Sequence, residues 1–585
     1  MFSDLMHSLK MGYLSRQYDI AYITSFICLL IFMGLFYQVA WQYPVNDSFP
    51  LIERILDSNF LANDFYTNTF TEFSPRLMLS QAIAAISQLT GIHYTEVIAA
   101  LNIIRIWLYG LALYYLLLTL TDKNTALVAF SFSALSFLTV PFLPAWWPIS
   151  YDLTSSNIAL VFSMLAWGLT LNNRINSTFI ILAISVYFHP LVGLHGFLLS
   201  MLIYISFNGF QAFLALLKQP LIYLSGAIYG AVFLSIYLSF EQVISDQRFI
   251  AINGEFRHAH HYFLEHMEIE KWISTIALVA LSFLITLKIN FSKKVSNTIY
   301  ATMGFSAIMV ALGYLFVELY PTRFMYSLIP MRTFPILVPM IVLSIAALAV
   351  HKYNKQDYVS FFVLFTPFIP YNHLGLTWYL LPNYHEVILP TIVAIIAVGI
   401  ATITELKPDI LKPLNSFLLR IFKKDNIAFS ILPISVLSLI LAITRFEIEI
   451  PTLQNEANIY QWLNTNSSSN DIIVSELNAA SNQKIRLIAH RAVVVSKDFP
   501  FNETFYEQWY QRYSQIYVER DQARGRIDSL SPAELNQLMD QYSATILLRT
   551  KPLEENIYFS PMGSTMGENA MSYIYRNNEE IAHGY

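Results

Sequence analysis

The sequence predicts a polytopic α-helical membrane protein with about thirteen transmembrane helices and a C-terminal extracytoplasmic α/β domain. Of its 585 residues, 55% are hydrophobic and only 13% are charged, whereas soluble domains carry roughly 25% charged residues. Apolar runs long enough to cross about 30 Å of hydrocarbon recur between Tyr22 and Arg445. Beyond them Asn, Ser, Asp and Glu become common and no spanning run follows. We therefore divide the chain into a membrane domain, residues 1–445, and a soluble domain, residues 446–585.

The composition also limits the partners and the covalent framework of the chain. The net charge of −5 indicates no nucleic-acid partner. The single cysteine, Cys28, lies inside the first apolar run, so no intrachain disulfide is predicted. That run is too long for the apolar part of a signal peptide and lacks a clear cleavage site, so we interpret it as a retained helix.

Thirteen apolar runs are the predicted membrane spans. They lie near residues 20–41, 97–120, 124–142, 156–171, 177–189, 191–206, 220–239, 272–289, 298–316, 332–351, 358–370, 387–405 and 427–445. Residues 42–96 are too polar to span and are predicted to form an external loop with amphipathic helices, such as residues 75–89 at the membrane interface.

Lysine and arginine predict the orientation, because they are retained on the cytoplasmic side. If the N-terminus, with Lys10 and Arg16, is cytoplasmic, alternate loops hold most of the remaining lysines. This pattern requires residues 177–206 to cross twice, with a turn at His189 and Pro190, where proline removes a backbone donor. We expect the inner (plasma) membrane as the location, with the soluble domain outside the cytoplasm.

The soluble domain is predicted to alternate strands with helices. The segments "DIIVSEL", "RAVVVS", "ATILLRT" and "SYIYRN", near residues 471, 491, 544 and 572, have the β-branched composition of strands. Residues 455–465 and 531–544 are predicted helices, the second beginning with Ser531 as cap, Pro532 in the first turn and Glu534 two residues later.

Histidines and arginines concentrate in the segments that this topology places outside. Arg105, about eight residues into the second span and so roughly 12 Å deep, is costly in lipid and is expected to have an internal partner. Each arginine either binds an anion in a shared cavity or is a solvent-exposed charge on a loop. The outward histidines are His93, His189, His195, His258, His260, His261, His266, His373 and His385, and the arginines are Arg54, Arg76, Arg105, Arg248, Arg257, Arg323 and Arg332.

Asp47, in "QYPVNDSF", is the acid that best fits a catalytic role. It follows the first span by a few residues, so it lies at the membrane surface, within reach of a lipid headgroup. It is either a general base, which must reach the proton that it removes, or a turn residue and helix cap. Asp57 and Asp64 are weaker candidates, for which capping is the favoured interpretation.

Residues 256–272, "FRHAHHYFLEHMEIEKW", hold four histidines between two apolar runs. His258, His260 and His261 could bind a metal, but their spacing matches no defined metal motif. Phosphate contact beside Arg257, or a structured interfacial loop with Tyr262 at headgroup level, is the better interpretation.

Together these segments resemble the GT-C superfamily of membrane glycosyltransferases, in particular its uncharacterised bacterial members. The order of elements is similar: a long first external loop with an acid, here Asp47, a broken helix pair at "YFHPLVG", and a soluble C-terminal domain. "FRHAHHYF" resembles an "R-x-PHHY"-like external loop, and the run from "YQWLNTNSSSNDIIVSE" to "FYEQWYQR" resembles their external domain. Members often carry two adjacent acids in the first loop, whereas Asn46 precedes Asp47 here, which leaves dependence on a divalent metal open.

The resemblance implies transfer of a sugar from a polyprenyl-phosphate donor to a glycan, lipid or protein acceptor. Asp47 would be the base, and the donor phosphate would be bound by residues drawn from Arg105, His189, Arg257, His258, His260, His261 and Arg332. Trp462 and Trp509 either contact the acceptor or pack in the domain core. A transporter or lipid-handling protein is the rival interpretation, because broken helices also occur there. A non-catalytic assembly partner is the third.

Overall fold

The structure is a computed structural model of the chain. It describes residues 18–36, 49–70, 75–136, 153–239, 242–257, 263, 269–330, 333, 336–369, 388–407, 409, 411–421, 427–445, 458–477, 479–500, 502–517, 526–566 and 571–578.

Two compact units divide the chain. The membrane unit consists of residues 1–40, 99–234 and 259–448, and the α/β unit consists of residues 41–98, 235–258 and 449–585. The composition boundary near residue 446 therefore stays a prediction, because the α/β unit also includes two segments from the membrane half of the sequence.

Helices account for most of the described residues. Those before residue 258 are α1 Tyr18–Phe36, α2 Phe49–Leu56, α3 Phe65–Asn68, α4 Pro75–Thr90, α5 Tyr94–Leu120, α6 Lys123–Ser136, α7 Ser155–Leu171, α8 Ile175–Phe188, α9 Pro190–Asn208, α10 Phe210–Leu216, α11 Pro220–Leu238, α12 Asp246–Phe249 and a π-helical segment, Ile250–Arg257. The next are α13 Ile269–Lys288, α14 Lys293–Gly313 with a π-helical end, Tyr314–Leu319, α15 Arg323–Leu328, α16 Leu337–Asn354, α17 Tyr358–Val363 with a 3-10 turn, Thr366–Phe368, α18 Ile388–Leu406, α19 Lys412–Ile421 and α20 Ile427–Arg445.

The predicted fold class is confirmed. Among the described residues, nine helices are long and apolar enough to cross a membrane, namely α1, α5, α9, α11, α13, α14, α16, α18 and α20. The predicted spans 156–171, 177–189 and 358–370 correspond to shorter apolar helices, and the helix expected at residues 75–89 is α4. The predicted span 124–142 begins as α6 and continues into residues outside the described ranges.

The predicted break at His189 is confirmed, because α8 ends at Phe188 and α9 begins at Pro190. His189 has extended backbone angles, φ −153° and ψ 106°, and its Nδ1 accepts from the backbone N–H of Val192. The two helices approach closely at Gly193, where an added Cβ would lie 2.6 Å from the backbone nitrogen of Val186.

Helix α16 lies in the core of the membrane unit, and its residues from Met340 to Val350 are all buried. A helix that is apolar on all sides must be covered on all sides, either by protein or by lipid. Neighbouring helices provide part of the cover, and the few polar groups pair with each other; the Ser344 hydroxyl, for example, lies 2.7 Å from that of Ser282 on α13.

The α/β unit contains a five-stranded sheet. After α21 Asn458–Asn466 its elements are β1 Ile472–Ser475, α22 Ala479–Lys484 with a π-helical end Ile485–Ala489, β2 Ala492–Val493, a 3-10 turn Glu503–Phe505, α23 Tyr506–Ile516, a 3-10 turn Arg526–Ser529, α24 Pro532–Gln541, β3 Ile546–Arg549, β4 Phe559–Met566 and β5 Met571–Asn577. The strand order is β2-β1-β3-β5-β4, with β2, β1 and β3 parallel and β5 antiparallel to both β3 and β4.

The four predicted strands and both predicted helices of this unit are confirmed. Ser531 caps α24 in a reciprocal capping box with Glu534, as its sequence predicts. Strand β4 was not predicted, because Pro561 and Gly563 interrupt its pattern and accompany a register shift. Trp509 packs in the core, since only 1% of its surface is exposed, so core packing is the correct interpretation for this residue.

Candidate functional site

Asp64 attaches the first loop segment, residues 49–70, to the sheet of the α/β unit. Its Oδ2 accepts from the backbone N–H of Thr67 at 2.9 Å and so caps α3. Its Oδ1 accepts from the backbone N–H of Val493 in β2 at 3.1 Å. The favoured capping role of Asp64 is confirmed, and the same carboxylate also makes a contact across 429 positions of sequence.

Arg486 lies beside Asp64 and is buried together with a second carboxylate. Its Nη2 is 2.8 Å from Oδ2 of Asp498, and its Nε is 3.6 Å from Oδ1 of Asp64. The guanidinium also contacts the ring of Tyr66, 4.9 Å from its centroid. All three charged side chains are at most 1% exposed. We call this group the Asp64–Arg486 cluster; its members are Asp64, Gln483, Arg486, Ser496 and Asp498.

The second segment, residues 242–257, binds the same part of the α/β unit. Oε1 of Glu503 accepts from the backbone N–H groups of Val243 and Ile244 at 2.9 and 2.8 Å. Arg248 donates from Nε and Nη2 to the two carboxylate oxygens of Glu507 at 2.7 and 2.8 Å. This bidentate geometry matches the planar fork of arginine to a carboxylate, so it fixes the direction of the segment as well as its position.

Arg257 ends this segment with its side chain already oriented. Its Nη1 donates to Oδ1 of Asn253 at 3.2 Å, and its guanidinium stacks on the ring of Phe499, 3.9 Å from the centroid. Arg257 directly precedes the predicted histidine loop, so the structure fixes one end of that loop on the α/β unit.

We expect Arg248→Gln to weaken attachment of the second segment in a pH-dependent way. The hydrogen bonds from Arg248 hold the pKa of the Glu507 carboxyl below its usual value. Because this pKa is lower in the folded state, the ion pair stabilises the attached segment fully at pH values above the unfolded-state pKa, near 4.5. That stabilisation is lost as the pH falls through the folded-state pKa. Both side chains are more than a third exposed, so the expected loss near neutral pH is only about 0.5 kcal/mol.

The measurement is a double-mutant cycle with Glu507→Gln, using hydrogen exchange of residues 242–250 as the readout. The coupling energy should be present at neutral pH and fall as the pH drops through the lowered pKa of the Glu507 carboxyl. A coupling that stays constant across this pH range would contradict the prediction.

The structure places two further predicted site residues in the membrane unit. Arg105 is buried, and its Nε donates to Oδ1 of Asn102 at 2.9 Å, which confirms the expected internal partner. His189 caps α9. Their roles toward a phosphate stay predictions. Five other predicted residues lie outside the described ranges: Asp47, His258, His260, His261 and Arg332. In the described part of the chain, no three His, Cys, Asp or Glu side chains gather in a way that could hold a metal ion.

Sequence reasoning missed the carboxylates that attach the second segment to the α/β unit. Glu503 and Glu507 lie in a stretch that resembles an ordinary soluble domain, and their partners are 259 or 260 positions away in sequence. Only the fold, which brings residues 243–248 beside them, identifies them.

Comparison with known proteins gives two kinds of similarity. Residues 454–516 match a family described as a domain of unknown function, DUF6798, and no curated protein matches the chain. The chain is similar to the oligosaccharyltransferase of Archaeoglobus fulgidus tethered with an acceptor peptide, with 12% identity over 92% of this chain and 70% of that chain and a TM-score of 0.43. It is also similar to the archaeal oligosaccharyltransferase AglB from Archaeoglobus fulgidus in complex with an inhibitory peptide and a dolichol-phosphate, with 10% identity, the same coverage and a TM-score of 0.45.

Proposed function

We propose that the chain is an integral membrane glycosyltransferase of the GT-C type, acting at the non-cytoplasmic face. The donor is a sugar on a polyprenyl phosphate, and the acceptor is a glycan, a lipid or a protein. One observation carries the proposal: residues 49–70 and 242–257 both bind the α/β domain. Residues 49–70 begin two residues after Asp47, and residues 242–257 end directly before the histidine loop. The proposed base and the proposed phosphate-binding loop therefore both adjoin segments of the α/β unit.

Asp47 acts as the general base in this reaction. Its carboxylate accepts the proton of the acceptor hydroxyl while the hydroxyl oxygen bonds to the anomeric carbon of the donor sugar. The bond from that carbon to the phosphate oxygen breaks, and the polyprenyl phosphate leaves with the electron pair. A single displacement of this kind inverts the anomeric configuration.

Arg257 is the described residue best placed to stabilise the leaving phosphate. Asn253 and Phe499 hold its guanidinium, so little reorganisation is needed when negative charge develops, and preorganised charge is a large catalytic term. His258, His260, His261 and Arg332 join it in the proposed phosphate site. Arg105 and His189 of the membrane unit are further candidates for contact with the lipid phosphate. No metal ligands are assigned, since the first loop offers Asn46 rather than a second acid beside Asp47.

The test is a transfer assay with the full chain in lipid nanodiscs. Radiolabelled polyprenyl-phosphate monosaccharides are the donors, and extracts of cell-envelope glycans, lipids and proteins are the acceptors. We expect a labelled product whose new linkage has the inverted configuration. If no donor gives a product but the chain moves the same lipids between leaflets of proteoliposomes, the lipid-handling interpretation is correct instead.

We expect Arg257→Lys to raise the donor KM by roughly 10- to 100-fold, with a smaller change in kcat. The substitution keeps the charge but loses the planar fork and the stacking on Phe499, and a charge-assisted hydrogen bond contributes about 1.5–3 kcal/mol. Steady-state kinetics with varied donor measures this.

The matched control is Arg576→Lys, an arginine of β5 in the same unit that pairs with Asp471 at 3.3 Å. Its donor KM should remain near that of the wild type. Equal effects of the two substitutions would remove Arg257 from the proposed phosphate site.

A further inference from the structure

Helix α19, Lys412–Ile421, has three distinct faces. Leu411, Asn415 and Leu418, at helical spacing, are half-buried against the membrane unit. Leu414 and Phe417 lie on a second face and remain 51% and 58% exposed. Lys412, Ser416 and Arg420 form the third face and are exposed, and Leu419, which is 38% exposed, lies at its edge. An apolar face beside a basic face is the pattern of a helix that lies in a membrane interface.

Asn415 fixes how this helix is rotated. Its Nδ2 donates to the backbone oxygen of Gln356 at 2.8 Å, and its Oδ1 accepts from the backbone N–H of Tyr358 at 2.8 Å. Gln356 lies in the turn between α16 and α17, and Tyr358 is the first residue of α17. The apolar face with Phe417 therefore cannot rotate inward without breaking two hydrogen bonds.

The chain position keeps α19 at a membrane surface. It lies between two candidate spans, α18 and α20, with only a few residues on each side. A helix so close to two spans is confined to the level where headgroups meet acyl chains, and insertion there would remove the exposed surface of Leu414 and Phe417 from water.

A group of cations surrounds the same membrane end. Glu405 of α18 pairs with Lys288 at 2.8 Å and with Lys355 at 2.9 Å. Lys352 is buried between Glu405 and Asp357, at 3.6 and 3.5 Å. Six described cations lie on these elements, namely Lys288, Lys352, Lys355, Lys407, Lys412 and Arg420, against three carboxylates, Asp357, Glu405 and Asp409. Cations therefore outnumber carboxylates at this membrane end. Of these cations, Lys412 and Arg420 lie on α19 itself, within three residues of Leu414 or Phe417.

We propose that α19 is an in-plane helix that binds an anionic phospholipid. Leu414 and Phe417 insert among the acyl chains, while Lys412 and Arg420 meet the phosphate of the headgroup, in the leaflet that the lysine distribution predicts to be cytoplasmic. The occupant is a lipid rather than an acidic protein, because the apolar face is held at the level of two membrane spans. The site is separate from the proposed sugar-transfer chemistry and does not depend on it.

The test is lipid binding to the full chain in detergent, measured by native mass spectrometry with phosphatidylglycerol and phosphatidylcholine as probes. We expect the wild type to retain phosphatidylglycerol preferentially. A juxtamembrane cation contributes about 1 kcal/mol, so Lys412→Gln with Arg420→Gln should lower the phosphatidylglycerol affinity by about 10- to 30-fold.

The control replaces Lys218 and Lys293 with glutamine, two exposed lysines on the same predicted side. This variant should bind phosphatidylglycerol within about twofold of the wild type. The proposal is wrong if the wild type shows no preference, or if the control loses as much affinity as Lys412→Gln with Arg420→Gln.

A second measurement tests insertion of the helix. In a Cys28→Ser background, spin labels at Phe417→Cys and Ser416→Cys report on the apolar face and the basic face of α19, which lie about 100° apart around the helix. In vesicles with phosphatidylglycerol, the label at 417 should respond to oxygen dissolved in the lipid and the label at 416 to a water-soluble relaxant. Equal exposure of both labels to the water-soluble relaxant would overturn the proposal.

Discussion

Asp47→Asn is expected to lower sugar transfer by about 10²- to 10⁴-fold while leaving donor binding unchanged. A positioned general base contributes an effect of this size, and asparagine cannot accept the proton. Asparagine is nearly isosteric with aspartate and caps a helix about equally well. The substitution therefore separates the two interpretations of Asp47, because a residue that only caps a turn would leave transfer almost intact.

The matched control is Asp57→Asn in the same loop segment. Asp57 is exposed, and its Oδ1 accepts from the backbone N–H of Asn59 at 2.9 Å, a contact that asparagine reproduces. Initial rates of transfer and equilibrium binding of a polyprenyl-phosphate sugar are measured for both variants. Transfer by Asp47→Asn within a few-fold of the wild type would refute the proposed base, as would equal losses in the two variants.

The membrane helices were predictable because lipid imposes a pattern that a single sequence displays. A span needs about 20 apolar residues, and the break at His189 is marked locally by Pro190. The strands β1, β3 and β5 carry β-branched runs that the sheet buries. Strand β4 contains Pro561 and Gly563, which oppose the strand pattern, so only its pairing with β5 identifies it.

The contacts that hold the separate chain segments of the α/β unit together were not predictable, because they join residues far apart in sequence. The Arg248 and Glu507 side chains are separated by 259 positions, and Asp64 and Val493 by 429. A single carboxylate or guanidinium has no periodicity that would reveal its partner. The boundary that composition predicts near residue 446 stays a prediction, and it assigns residues 242–257 to the membrane half, whereas Glu503 and Glu507 bind them to the α/β unit.

The Asp64–Arg486 cluster explains how the first loop segment is held, and it carries the largest expected effect on stability. Arg486 and both carboxylates are fully buried, so none of their charges can be compensated by water. Removing one member of a buried pair costs about 3–5 kcal/mol, because the remaining charge is left uncompensated. Arg486→Met keeps an apolar stem but removes the guanidinium, with its charge, its hydrogen bonds and its contact with the Tyr66 ring.

We expect Arg486→Met to speed amide exchange in β1 and β2 by about 10²- to 10³-fold, since the opening free energy falls by this cost. Exchange in residues 49–70 should rise in parallel, because Asp64 also binds the backbone of Val493. Hydrogen exchange of the full chain, read by mass spectrometry, resolves these segments separately from the membrane helices. Lys551→Met, which removes an exposed charge of the same unit, should change nothing.

A partial rescue distinguishes loss of charge balance from loss of packing. Arg486→Met combined with Asp498→Asn removes one cation and one anion together, and a buried ion pair can often be replaced by neutral groups at little cost. We therefore expect the double variant to exchange more slowly than Arg486→Met alone. If the double variant exchanges faster, charge balance does not hold the first loop segment in place; the contact of the guanidinium with Tyr66 does, and the two buried carboxylates contribute through the hydrogen bonds that they accept from Val493 and Gln483.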